Sequence, residues 1–101
     1  MHPASSITSL DLSGCPALVS LDCSGNLIES LDLSGLPALE RLDCWDNLIE
    51  SLDVSACPSL WQLYCQGNRI ADLTALREWL AQDGRLGAVE PQLAGEGEIE
   101  I

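Results

Sequence analysis

Residues 9–71 read SLDLSGCPALVSLDCSGNLIE, SLDLSGLPALERLDCWDNLIE and SLDVSACPSLWQLYCQGNRIA, three consecutive blocks of 21 residues that align without a gap. A fixed period of this size marks a solenoid, in which each unit buries its apolar edge against the next. Inside each block Leu21 and Cys23, and their counterparts, alternate with polar residues, which is the period of a strand with one buried face. The leading Ser-Leu-Asp-Leu alternates in the same way and predicts a short extended return stretch on the opposite side. Pro16, Pro37 and Pro58 then turn the chain toward the next coil.

The core pattern is Leu18-x-x-Leu21-x-Cys23-x-x-Asn26-x-Ile28. It recurs as Leu39, Leu42, Cys44, Asn47, Ile49 and as Leu60, Leu63, Cys65, Asn68, Ile70. This resembles the leucine-rich repeat, in the short bacterial form that carries Ser-Leu-Asp-Leu-Ser in its return segment, and the resemblance runs from residue 7 to about residue 73. The resemblance implies a right-handed coil with a concave parallel sheet, extended return segments and an asparagine ladder that bonds backbone groups in the turn after each strand.

Outside the repeats the pattern changes. Leu73, Leu76, Trp79 and Leu80 fall at helical spacing, which predicts a capping helix within residues 72–84, with Asp72 or Thr74 at its start and Gly84 at its end. Residues 85–101 read as an irregular acidic tail whose last four, Glu98-Ile99-Glu100-Ile101, alternate like a strand. Residues 1–8 form a lead-in where only Ile7 continues the repeat, so the first coil is expected to lack a cap and to offer a face for a homodimer.

Sixteen acidic residues face four arginines, and no lysine is present, for a net charge of −12. That balance disfavours direct contact with nucleic acid or anionic membrane and favours a protein partner with a basic surface. No stretch approaches a membrane span, and the first eight residues carry no basic region followed by an apolar run, so no secretory signal is expected. Five cysteines, an odd number, argue against a disulfide framework and for a reducing, cytoplasmic compartment.

Catalysis finds no footing. The sole histidine is His2, no nucleophile has a base at a recognisable spacing, and no glycine loop suits a phosphate. Cys23, Cys44 and Cys65 fill one core position without a histidine or a Cys-x-x-Cys pair, so neither metal nor cofactor is expected.

Two constellations read as binding surfaces. Asp11, Asp32 and Asp53, with Glu29 and Glu50, form an acidic ladder on the return side. On the strand side Asp22, Arg41, Asp43, Trp45, Asp46, Trp61 and Tyr64 are expected to face outward, the aromatic members being typical of binding hot spots. Carboxylates repeated at strand spacing suit a groove built for phosphates. The favoured reading is therefore an acidic inhibitor that occupies the nucleic-acid-binding surface of a basic partner. In size and charge it resembles the small phage-encoded anti-CRISPR inhibitors, which would place it in the host-cell cytoplasm. The alternative is a recognition module of a bacterial surface or effector protein that binds through the concave aromatics.

Overall fold

The structure, a computed structural model, describes residues 7–93. The strand periodicity is realised in short pieces: β1 (Ser20–Asp22), β2 (Arg41–Asp43) and β3 (Gln62–Tyr64). Helix α1 (Thr74–Leu80) follows, then β4 (Leu86–Ala88). All four strands pair in parallel in the order β1-β2-β3-β4. Leu21, Leu42 and Leu63 stand in register, and Gly87 takes the fourth rung. The step between strand starts is 21 residues twice (41 − 20 and 62 − 41) and then 24 (86 − 62), the last coil being lengthened where α1 is inserted.

The core is a set of ladders. Leu39, Leu42, Cys44, Ile49, Leu63 and Cys65 are all fully buried. The cysteine row gains packing and loses ionisation: burial pushes the Cys65 thiol up to about 12 and, with help from Asp22 and Asp43, the Cys23 thiol up to about 11. These are small apolar groups in a leucine position.

The asparagines hold the turn after each strand. Asn47 donates from Nδ2 to the carbonyls of Cys23 (3.0 Å) and Cys44 (3.1 Å) and accepts the Ile28 N–H on Oδ1 (3.0 Å). Asn68 repeats this with Cys44, Cys65 and the Ile49 N–H, each at 3.0 Å. A buried amide with three partners serves backbone groups that no ladder reaches.

The return segments are not strands. They run into two successive tight turns, as in Leu36 N–H to the Leu33 carbonyl and Leu39 N–H to the Leu36 carbonyl, both 3.2 Å. The prolines sit inside these turns, where a fixed φ helps and no N–H is needed.

A helix stands in place of the return segment after the third coil. Helix α1 stops at Leu80, short of the expected end, and buries Leu76 and Trp79. Leu73 caps it without a side-chain bond, while Asp72 Oδ1 accepts the Thr74 N–H at 3.0 Å. Arg85 lies over the Trp79 ring, 4.8 Å from its centroid, and Arg77 pairs with Glu90.

Residues 85–93 correct the expectation of an irregular tail. They form a fourth, degenerate coil in which β4 joins the sheet, Val89 occupies the cysteine position and Gln92 the asparagine position. Gly87 is required there, because a Cβ would lie 1.7 Å from the Leu63 carbonyl oxygen. The strand expected at residues 98–101 lies outside the described residues. At the other end Leu10, Leu12, Leu18 and Leu21 are only half-buried, whereas Leu31, Leu33, Leu39 and Leu42 one coil on are buried.

Candidate protein-binding face

Alternation along four strands in register leaves three rows on the concave side. The first is Ser20, Arg41, Gln62 and Leu86; the second is Asp22, Asp43, Tyr64 and Ala88. Two residues further on, Ser24, Trp45, Gln66 and Glu90 continue the same parity. The predicted Asp22, Arg41, Asp43, Trp45 and Tyr64 are thus brought onto one surface. Trp61 stands just before β3, beside this surface, and is 37% exposed, while Trp45 is 38% exposed.

Asp46 differs. It has a left-handed backbone (φ 58°), at the position where neighbouring coils have Gly25 and Gly67, and its Oδ1 covers the Cα of Gly67. It belongs to the turn ridge with Asn26, Asn47 and Leu48, which together with Gly67 and Leu93 line a shallow groove, and not to the sheet face. Aspartate is among the few residues that accept this conformation, which explains its presence there.

The two carboxylates of the second row have unequal surroundings. Asp22 Oδ1 accepts from the Ser24 N–H (3.1 Å) and the Ser24 hydroxyl (2.7 Å). One coil on, Trp45 stands in place of that serine and brings no hydroxyl. Asp43 Oδ1 is shielded from solvent and has no hydrogen-bond donor among the described residues. Burial, and then the Asp22 charge beside it, hold the Asp43 carboxyl above the usual carboxylate range, against the pull of Arg41. Gln66 Oε1, in the next row and next coil, is likewise shielded and without a donor. Sequence reading missed Gln66, although the 21-residue register places it at the position of Ser24 and Trp45.

The return-side ladder has a local role. Asp11 Oδ1 accepts from the Ser13 hydroxyl (2.7 Å) and N–H (3.0 Å). Asp32 and Asp53 accept the N–H of Ser34 and Ser55 at 2.9 Å each. These bonds, the serine hydroxyl first, hold all three carboxyls below their usual range. Each aspartate closes an Asx turn that starts the chain reversal. Glu29 and Glu50 are exposed at the head of the same segments. Among the described residues no group of histidine, cysteine, aspartate or glutamate could hold a metal ion, and no helix is long and apolar enough to cross a membrane.

Residues 37–78 match a family model described as leucine-rich repeats in two copies. Among solved structures, the functional domain of InlJ from Listeria monocytogenes, described as including a cysteine ladder, is similar at 38% identity and a TM-score of 0.64. The match covers 68% of this chain and 16% of that one, so the chain spans about one sixth of the length of the protein it resembles. No curated protein matches the chain.

Proposed function

The chain belongs to the leucine-rich-repeat family, and from this premise we propose that it is a non-catalytic protein-recognition module that binds its partner on the concave sheet. The carrying observation is the exposed indole of Trp45, set with Tyr64 on the regular face of a rigid stack and with Trp61 exposed beside that face. Large aromatics on a preformed surface give contact area at low ordering cost. Net charge and the Asp22–Asp43 pair favour a partner with a basic surface.

The inhibitor that imitates nucleic acid stands second. It needs rows of carboxylates free to meet a basic groove, and Asp11, Asp32 and Asp53 already accept bonds from serines in their own turns. Its support is the net charge of −12 and the concave pair Asp22 and Asp43. A homodimer through the half-buried leucines of the first coil is compatible with either reading. The cytoplasmic expectation loses its main support, because four of the five thiols are buried in the core and the odd cysteine count reports packing.

The test is site-resolved crosslinking. A photoreactive phenylalanine derivative placed at Trp45 or Gln62, and as a control at Ser34 or Glu50, is used with extract of the cells that produce the chain. The proposal expects one protein captured from the concave positions and not from the control positions, and its purified form to bind the unmodified chain. Capture from Ser34 and Glu50 instead would overturn it.

A further inference from the structure

We propose that the concave face seats one arginine side chain of the partner, its guanidinium on Asp43 and flanked by Trp45 and Tyr64; this rests on the concave binding reading above. Three observations converge on that site. Asp43 Oδ1 and Gln66 Oε1 lie one coil and two residues apart, and both are acceptors without a donor. An orphaned acceptor carries a free-energy cost that an incoming donor relieves. Since both orphans are acceptors, the complementary group is rich in donors.

Charge selects among donors. Asp22 and Asp43 are direct neighbours across β1 and β2, and like charges at this spacing destabilise a sheet. The chain's own cation on this face is Arg41, two residues before Asp43 on β2; it makes no hydrogen bond to Asp43 Oδ1. The termini outside the described residues contain no arginine or lysine, and residues 94–101 add Glu96, Glu98 and Glu100. The cation of this seat is the partner's, added beside the chain's own Arg41.

Shape selects arginine over lysine. A guanidinium is planar, carries five donors and no acceptor, and stacks on aromatic faces. Tyr64 stands opposite Asp43 on β3, and Trp45 follows it by two residues on the same side. An ammonium is a compact, strongly hydrated point charge that uses these aromatic walls less well. The terminal torsions of Asp and Gln are broad, so the shielded oxygens can turn to meet the guanidinium.

The experiment selects binders from a randomised peptide display library on the immobilised full chain. Enriched peptides should share an arginine at one fixed position. Replacing that arginine by lysine should weaken binding about fivefold, and replacing it by citrulline about tenfold or more, as loss of a charge-assisted contact requires. Asp43→Asn in the chain should weaken the arginine peptides about tenfold and leave their citrulline versions unchanged. Peptides that depend on Trp45 but carry no fixed arginine, or that accept lysine equally, would overturn the arginine seat and leave concave binding standing. Basic residues scattered along the peptides without a fixed position would also overturn it. Peptides indifferent to both Trp45→Ala and Asp43→Asn would overturn the seat and the concave reading together. The lysine and citrulline comparisons use the unaltered chain, so they remain decisive whatever Asp43→Asn does to folding.

Discussion

Gln92 Oε1 accepts the backbone N–H of Ile70 at 3.0 Å, the bond that Asn68 Oδ1 makes to Ile49 one coil earlier at the same distance. The Gln92 amide also donates to the carbonyls of Cys65 (3.0 Å) and Val89 (2.8 Å). A glutamine therefore takes the asparagine's role in the turn of the fourth coil.

Removing a ladder amide should unfold the stack according to burial. Asn68→Ala leaves the Ile49 N–H without its acceptor and removes one of two amide donors from the Cys44 and Cys65 carbonyls, and should cost about 2–3 kcal/mol; Gln92→Ala, half-buried at the edge, should cost about 1–2 kcal/mol. Urea denaturation with an unchanged m-value checks both. No loss for Gln92→Ala would mean that the fourth coil lies outside the cooperative unit.

Gly67 and Asp46 should prove coupled. At Gly67 φ is 75° and a Cβ would lie 2.0 Å from Asp46 Oδ1. Gly67→Ala should therefore destabilise by about 2 kcal/mol, and less when Asp46→Gly is made beside it. A double-mutant cycle measures this, and additive effects would contradict the contact.

Two aspartates should respond to pH with opposite sign. Asp32 is held below its ordinary value of 3.8 by Ser34, so its contribution to stability is present above 3.8 and is lost as pH falls through the lower folded value. Asp43 is held above 3.8 by burial and by Asp22, so its cost to stability is full above the folded value and vanishes below 3.8. Thermal midpoints at pH 7 should fall for Asp32→Ala and rise for Asp43→Asn, with both differences shrinking toward pH 3. A fall for Asp43→Asn at pH 7 would contradict the assignment.

Much of this fold was legible because the period repeats every side chain in register. Leu42, Cys44, Asn47 and Ile49 could be assigned to the core from their copies alone. The fourth coil was hidden because its signal residues were replaced: glycine for leucine at Gly87, valine for cysteine at Val89, glutamine for asparagine at Gln92, and a spacing of 24 instead of 21. In the candidate site, alternation placed Asp22, Asp43, Trp45 and Tyr64. It could not show that Ser13, Ser34 and Ser55 engage the return-side aspartates, since those bonds are local turn geometry. Nor could it show that Asp46 leaves the sheet, since that depends on one backbone angle.

Thiol reactivity should separate Cys15 from the four buried cysteines. Cys15 is exposed, whereas Cys23, Cys44, Cys57 and Cys65 are buried, and burial raises the thiols of all four. Titration with a thiol-specific chromophore near pH 8 should find one fast group in the folded chain and five in denaturant. Several fast thiols in the folded chain would mean that the core opens easily.

The most direct measurement of the central claim is the dissociation constant of the crosslinked partner for the chain and two single variants, Trp45→Ala on the concave face and Asp53→Asn on the return side. The account predicts about a tenfold loss or more for Trp45→Ala and little change for Asp53→Asn. A loss confined to Asp53→Asn, with Trp45→Ala binding like the parent, would contradict it.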